Sequence, residues 1–223
     1  MTSDERTLLT VAVIGGTGKE GTGLAMRWAL NGYRVIIGSR DAERAQNHAA
    51  ELNARLGADV LKGMANSDAA AEANVIVLTV PFSAHQGTLE SIKSQLDGKI
   101  LLDTTVPLQP PRVRTVQLPA GGSAALEART IVGDTVRIVS AFQNVTHEKL
   151  QDLEATIDCD VLMSGDDAEA KNEVAQLIAA AGMRAVDAGP LANSVAAEAL
   201  TSVLLYINKK HGVKGAGIRI TGI

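Results

Sequence analysis

The chain has 223 residues, of which 46% are hydrophobic and 21% charged, as in ordinary globular domains. This length suits one large domain or two closely packed ones. The net charge of −4 and the pI near 5.6 argue against a nucleic-acid binder. The single cysteine excludes an internal disulfide, and the first apolar run is too short for a membrane span or a signal core, so we expect a cytoplasmic protein.

Short apolar runs rich in β-branched residues alternate with segments of helical spacing up to residue 140. The runs at 8–14, 34–38, 75–80, 100–103 and 136–140 predict buried parallel strands. The spacing predicts helices over 20–31, 41–56, 67–73 and 83–96, with Asp41 and Ser67 as caps of two of them. This alternation predicts an α/β fold, a Rossmann-type doubly wound parallel sheet.

The pattern is interrupted after the fourth of these runs, at 100–103. Residues 104–122 contain several prolines and a Gly-Gly pair, which predict a long loop. A second β-α-β unit is predicted over 160–187, followed by a helix over 191–210 with a broad apolar stripe. We therefore predict a Rossmann domain at 1–140 and a smaller α/β C-terminal portion at 141–223.

A glycine-rich loop follows the first predicted strand directly. Gly16, Gly18 and Gly21 fit G-x-G-x-x-G at a strand–helix junction. The first glycine permits a tight turn, the second lets a pyrophosphate approach the backbone, and the third lets the helix pack close to the strand. Backbone N–H groups at the helix start then face the phosphates. The loop predicts a dinucleotide site.

The end of the second predicted strand indicates which dinucleotide binds. NAD enzymes usually carry an acid there, which accepts hydrogen bonds from the ribose hydroxyls. This chain has Ser39 and Arg40, followed by Arg44 one helical turn later. A hydroxyl and two guanidinium groups can bind a 2′-phosphate, which an acid would repel. The sequence therefore predicts NADP(H) rather than NAD(H).

The predicted crevice is bordered by the ends of later strands. Thr79, Val80 and Pro81 are expected beside the nicotinamide, and residues 103–107 approach the same crevice. No catalytic acid or base stands out; His85 is the one histidine near the crevice, and Cys159 is expected to be packed. His48 and His211 are expected to be solvated, and Asp166 to cap the following helix. No metal-binding spacing is present in the sequence. Hydride transfer between two bound coenzymes needs no catalytic side chain.

Four segments together resemble a known family: GGTGKEGTGLAMRWALNGYRVIIGSRDAERA, VIVLTVPF, SGDDAEAKNEVAQLI and DAGPLANSVAAEALT. They are similar to the NADPH-dependent reductases of the deazaflavin coenzyme F420. The resemblance implies NADP(H) on the N-terminal unit and coenzyme F420 as co-substrate, in a cleft closed by the C-terminal portion. It implies a cofactor-binding set of Gly16, Thr17, Gly18, Lys19, Glu20, Gly21, Ser39, Arg40, Arg44, Thr79, Val80, Pro81, Ala141 and Val145.

The resemblance has departures near the second ligand. Archaeal members tend to have His-Thr-Ile-Pro where this chain has residues 143–146 as QNVT, and loop 106–119 also differs. Reduction of another small acceptor (an imine, a carbonyl or a ferric chelate) and a non-catalytic NADP(H) sensor therefore stay open. A polyanionic coenzyme tail would need cations, for which Lys209, Lys210, Lys214 and Arg219 are available. We expect a homodimer, although the last helix could equally close the monomer's own core.

Overall fold

The computed structural model describes residues 9–223. Within these residues, eight strands form one sheet, and eight α-helices with two short 3₁₀ helices (Lys93–Gln95 and Leu191–Asn193) cover it. The strands are β1 (Thr10–Ile14), β2 (Arg34–Ser39), β3 (Leu61–Ala65), β4 (Val75–Leu78), β5 (Ile100–Asp103), β6 (Arg137–Ser140), β7 (Asp160–Gly165) and β8 (Arg184–Asp187). The helices are α1 (Lys19–Leu30), α2 (Ala42–Leu56), α3 (Asn66–Glu72), α4 (Phe82–Ile92), α5 (Ala124–Val132), α6 (His147–Gln151), α7 (Ala168–Ala180) and α8 (Ser194–His211).

The strand order is β3-β2-β1-β4-β5-β6-β7-β8. The first six strands run parallel and confirm the predicted doubly wound sheet, whose order reverses between β1 and β4. The central strands β1, β4 and β5 are almost entirely buried, as continuous apolar runs require when helices cover both faces. Crossover helices between the parallel strands place all their carboxyl ends at one edge of the sheet.

The C-terminal portion extends this sheet and does not form one of its own. Strand β7 pairs antiparallel with β6, with Ser140 opposite Ser164, and β8 pairs parallel with β7 through α7. The predicted β-α-β unit is thereby confirmed. The division at residue 140 stays a prediction: β6 ends at that position, and the backbone hydrogen bonds of the sheet continue across it.

Four details differ from the sequence-based expectation. Strand β3 was missed because Lys62 and Gly63 interrupt its apolar pattern; Gly63 packs against Ala45, where an added Cβ would meet backbone atoms at 2.3 Å. The third apolar run, predicted over 75–80, ends as a strand at Leu78; helices α5 and α6 were not expected, and α3 has no side-chain cap. Asp41 does cap α2 as predicted, with its carboxylate accepting from the backbone N of Arg44 at 3.2 Å. Residue 8, the predicted start of the first strand, lies outside the described residues.

Helix α1 is the main attachment of the C-terminal portion. The Arg27 guanidinium donates to the carbonyl oxygens of Leu150 (2.9 Å) and Ala181 (3.1 Å), and it also reaches those of residues 149, 152 and 155. The Trp28 indole N–H donates to the carbonyl of Leu177 at 2.8 Å and is buried. Because a buried guanidinium needs acceptors, this network fixes α6 and α7 against the glycine-loop helix.

The last helix, α8, confirms the predicted segment and follows a 3₁₀ turn at Leu191–Asn193. Of the predicted apolar stripe, Leu204 is buried, whereas Val203 and Ile207 are 43% and 36% exposed. Tyr206 beside them is 55% exposed. The stripe therefore packs only in part on its own chain. Among the helices of residues 9–223, none combines the length and the apolar character needed to cross a membrane.

Candidate functional site

The loops after β1 and β4 meet at the point where the strand order reverses. Gly15 has φ of +78°, and an added Cβ there would lie 2.7 Å from Cγ1 of Val80. The Thr79 hydroxyl donates to the carbonyl of Ile14 at 3.0 Å. In doubly wound sheets a ligand binds outside the carboxyl ends of the strands at this point. Thr79 and Val80 thus lie beside the glycine-rich loop, as the sequence predicts.

The glycine-rich loop leaves the start of α1 open to an anion. An added Cβ at Gly16 would lie 2.7 Å from the carbonyl oxygen of Val13, and one at Gly21 would lie 2.6 Å from Oγ1 of Thr79. These two glycines therefore permit the tight turn and the close helix packing. Gly18 is the N-cap of α1, and no side chain caps this helix end. The first N–H groups of the helix have no intrahelical acceptor and favour a phosphate.

Of the two basic residues after β2, Arg44 lines a separate hollow. A cavity of about 380 Å³ is lined by Thr17 and Arg44 together with acidic and polar residues of α2. Ser39 is buried at the end of β2, and its Oγ accepts from the backbone N of Asp41 at 3.3 Å; Arg40 is exposed beside it. Within residues 9–223, neither guanidinium forms an ion pair with a carboxylate. Both arginines therefore keep their donors for a ligand.

A larger cleft, of about 900 Å³, extends from the glycine loop to the C-terminal helix. Its walls combine apolar side chains with a few polar and basic ones. Seven of the predicted site residues line it, namely Thr79 and the six others Gly18, Lys19, Glu20, Val80, Pro81 and Val145. Further lining residues include Thr104, Thr105, Arg114, Phe142, Gln143, Asn144, His147, Glu148, Thr201, Leu204, Leu205, Asn208, Lys209, Val213, Lys214 and Ala216.

The structure corrects two expectations at this cleft. Ala141 has no exposed surface and packs in the core beneath the sheet's edge, so it does not form the expected wall. Its neighbour Phe142 borders the cleft but is equally buried; its ring packs edge-on against Trp28, and its φ of 76° is unusual for a non-glycine residue. Of the four basic residues considered for an anionic tail, Lys209 and Lys214 line the cleft, whereas Lys210 does not. Arg219 pairs with Asp158 at 2.8 Å.

A group of polar side chains stands at the end of β5. His85 and Asp103 are buried and lie 2.7 Å apart, from Nε2 to Oδ2. Thr104 donates through Oγ1 to the carbonyl of Leu78 at 3.0 Å, and its side chain lies near the Glu20 carboxyl. Burial in the cleft raises the pKa of Glu20 to about 7; the Thr104 contact lowers it, and the nearby charge of Asp103 raises it. The Glu20 carboxyl, whose pKa is raised by burial, therefore lines the cleft.

A second buried acid holds the helix that forms the far wall. The Glu198 carboxylate on α8 accepts from the backbone N atoms of Ala124 (2.6 Å) and Ala125 (3.1 Å) at the start of α5. Ser123 and Ser194 are joined beside it through their hydroxyls at 2.7 Å. Burial raises the pKa of Glu198 to about 8, although both backbone hydrogen bonds lower it. This contact fixes α8, whose next turns line the cleft.

The sequence reasoning missed several of these residues. His48 was expected in solvent, but its Nε2 lies 2.8 Å from Oγ1 of Thr22, so it joins α2 to α1. Asp166 was taken as the cap of α7; that cap is Asp167, and Asp166 accepts from the backbone N of Leu191 instead. Arg114, within the proline-rich loop, gave no sequence signal beyond its charge. As expected, Cys159 is buried and free and His211 is exposed at the end of α8.

Comparison with known proteins agrees with this geometry. A sequence model of the family described as "NADP oxidoreductase coenzyme F420-dependent" matches residues 10–107. The F420-dependent NADP reductase of Methanothermobacter marburgensis is 41% identical, over 96% of this chain and 99% of its own length. The reductase of the same name from Methanocaldococcus jannaschii is 40% identical, over 96% and 99%.

Solved structures share the fold at lower sequence identity. A hypothetical protein from Sinorhizobium meliloti is 23% identical, with a TM-score of 0.69 over 86% of this chain and 89% of its own. An imine reductase from Myxococcus stipitatus is 21% identical, with a TM-score of 0.60 over 92% and 61%. These two show the fold alone. The full-length identity to the archaeal reductases carries the stronger conclusion: the chain belongs to the family of F420-dependent NADP reductases.

Proposed function

We propose that this protein transfers a hydride between NADP(H) and the deazaflavin coenzyme F420. The observation that carries the proposal is the single cleft that joins the glycine-rich loop to the C-terminal helix α8. One ligand bound at the glycine loop and a second bound under α8 would share this cleft. Such an arrangement holds two reactants in contact, which is what a direct transfer requires.

The residues of the N-terminal unit fit NADP(H). The uncapped start of α1 offers N–H groups to the pyrophosphate, and Thr17 and Gly18 lie at that loop. Ser39, Arg40 and Arg44 are proposed to bind the 2′-phosphate. Of these, Arg44 shares its hollow with Thr17, so the loop and the basic pair can reach one nucleotide. Asp41 stays occupied as the cap of α2 and does not take the place of a ribose-binding acid.

The rest of the cleft fits a planar second ligand with a charged tail. Val80, Pro81 and Val145 supply apolar surface, which suits a flat ring. Basic side chains of the loop after β5, of α8 and of the C-terminal tail stand at the same cleft, and they suit an anionic tail. They are Arg114, Lys209 and Lys214.

The bound coenzymes supply the hydride chemistry, and the protein supplies position and electrostatics. Thr79, Val80 and Pro81 are proposed to hold the nicotinamide, and the C-terminal portion from residue 141 onward to close the cleft over the deazaflavin. In support, residues 142–148 and 201–216 contribute much of its wall. Closure removes water from the site, which strengthens the electrostatic contacts inside.

Mixing purified protein with NADPH and oxidised F420 tests the proposal. We expect the visible absorbance of the deazaflavin to bleach rapidly and NADPH to be consumed in equal amount. Binding of NADPH without bleaching would contradict the proposal and direct attention to another small acceptor or to a sensor role. For substitutions of Arg40 and Arg44, Arg34→Ala is the matched control, because Arg34 is an exposed arginine at the opposite end of β2, paired with Glu72.

We further propose that the protein is a homodimer joined through α8. Val203, Tyr206 and Ile207 leave apolar surface exposed on one side of this helix, and such a stripe usually meets a partner. Sedimentation of the wild type is expected to give a dimer, and the V203D/I207D variant a monomer. A monomeric wild type would contradict this arrangement.

A further inference from the structure

Glu20 occupies an unusual place for an acid. It stands between the second and third glycines of the loop and lines the cleft on the first turn of α1. The next residue, Gly21, abuts β4, since a Cβ there would lie 2.6 Å from Oγ1 of Thr79. The first turn therefore runs between the proposed nicotinamide wall and the end of β5. A carboxylate at this position would face a ring that is uncharged in NADPH and cationic in NADP⁺.

The Thr104 hydroxyl can form a hydrogen bond with either protonation state of this acid. A hydroxyl has one proton to donate and lone pairs to accept with. While Thr104 donates to the carbonyl of Leu78 at 3.0 Å, its oxygen can accept from a protonated Glu20. When Glu20 is ionised, the same hydroxyl can turn and donate to the carboxylate. Either state of Glu20 thus keeps a hydrogen-bond partner.

We propose that Glu20 holds the proton that the reaction exchanges, keeping it while the nicotinamide is reduced and releasing it when the nicotinamide is oxidised. The inference rests on the proposed function. In the direction of F420 reduction, NADPH, F420 and one proton give NADP⁺ and reduced F420. Two electrons leave the nicotinamide with the hydride, and the carboxyl O–H bond of Glu20 breaks as the proton passes to the deazaflavin.

The charge on the oxidised nicotinamide favours release of the proton from Glu20. Loss of the hydride places a positive charge on the nicotinamide, and a nearby positive charge favours the ionised carboxylate. Asp103, joined to His85, acts in the opposite sense and favours the protonated form of Glu20. The remaining charged or titratable groups at the cleft are Lys19 on the same helix, Arg114, His147, Glu148, Lys209 and Lys214.

Equilibrium binding of NADP⁺ and NADPH without F420 isolates this property. The 2′-phosphate ionises in both ligands alike, so its contribution cancels in the ratio of their dissociation constants. Around neutral pH we expect the affinity of the wild type for NADP⁺ to rise relative to its affinity for NADPH. The ratio of the two dissociation constants should change by up to about tenfold for each unit of rising pH. Glu20→Gln should abolish the shift, and Glu20→Asp should keep it with a displaced midpoint. Glu90→Gln, the same change on exposed helix α4, is expected to behave as the wild type.

The proposal would be overturned if the ratio of the NADP⁺ and NADPH dissociation constants of the wild type did not change between pH 5.5 and 8.5. It would also be overturned if Glu20→Gln showed the same change with pH as the wild type. Turnover provides the second readout: Glu20→Gln is expected to lower kcat for F420 reduction roughly hundredfold at pH 7, with the KM for NADPH within about threefold. An unchanged kcat would also overturn it. Because the binding experiment contains no F420, its result does not depend on whether F420 is the acceptor.

Discussion

His85 Nε2 lies 2.7 Å from Oδ2 of Asp103, and both side chains are buried. Asp103 also accepts from the backbone N of Thr105 through Oδ1 at 3.0 Å, and its carbonyl accepts from Nε2 of Gln143 at 2.8 Å. These contacts with His85, Thr105 and Gln143 fix the end of β5. Since Thr104 follows Asp103 and lines the cleft, we expect His85 to hold this part of the wall in place through Asp103.

Replacing His85 with Ala removes one partner from a buried carboxyl group. We expect the free energy of unfolding at pH 7 to fall by roughly 2–4 kcal/mol, measured by urea denaturation. His211→Ala, an exposed histidine at the end of α8, should change it by less than about 0.5 kcal/mol. Equal effects of the two substitutions would contradict the assignment of His85.

The preference for NADP(H) is tested at Arg40 and Arg44. Replacing both with Ala removes two charge-assisted donors, so the KM for NADPH should rise about a hundredfold and that for NADH less than about threefold. The measurement is steady-state kinetics with each dinucleotide. The Arg34→Ala protein, which loses the exposed arginine at the start of β2, should keep the wild-type preference. Equal losses for both dinucleotides would remove the 2′-phosphate assignment.

Two glycines in helices give opposite predictions. Gly21→Ala places a methyl group 2.6 Å from Oγ1 of Thr79 and 2.8 Å from Cα of Gly16, so α1 must move and NADPH affinity should fall more than about tenfold. Gly87→Ala in α4 meets no atom within 4 Å and should raise the free energy of unfolding by roughly 0.5–1 kcal/mol. Binding titration and urea denaturation of both variants check the pair. Normal NADPH affinity of Gly21→Ala would refute the close packing of α1.

Glu198 makes stability depend on pH. Its pKa is raised from the ordinary 4.5 to about 8 by burial, so the folded protein binds more protons than the unfolded chain between these values. The free energy of unfolding should therefore fall as pH rises through this range, by up to about 1.4 kcal/mol per pH unit. Glu20 acts in the same direction up to about pH 7.

Urea denaturation at pH 5 and pH 8 measures this effect. The wild type should be less stable at pH 8, and Glu198→Gln should show a smaller difference because its amide does not ionise. Glu90→Gln serves as the control and should keep the full wild-type difference. An undiminished difference in Glu198→Gln would assign the effect to other groups.

The sequence reveals the parts of this protein that local patterns determine. Continuous apolar runs predict β1, β4 and β5, and the spacing of Gly16, Gly18 and Gly21 predicts the loop between β1 and α1. Contacts between distant segments leave no such pattern, which is why Thr22–His48 and His85–Asp103 were not anticipated. Ala141 was misplaced for the same reason, since burial at a strand's end depends on the layer that covers it. The cytoplasmic location, the absence of nucleic-acid binding and the individual ligand contacts stay predictions.

The antiparallel pairing of Ser140 with Ser164 has a consequence for folding cooperativity. Because the backbone ladder crosses from β6 to β7, and Arg27 of α1 donates to carbonyls as distant as Ala181, neither portion can lose its structure without exposing hydrogen-bonding groups of the other. We therefore expect one thermal transition, shared by both portions. A chain cut at residue 140 would leave β6 as a bare edge prone to aggregation, so the nucleotide-binding unit depends on its neighbour for solubility as well as for substrate.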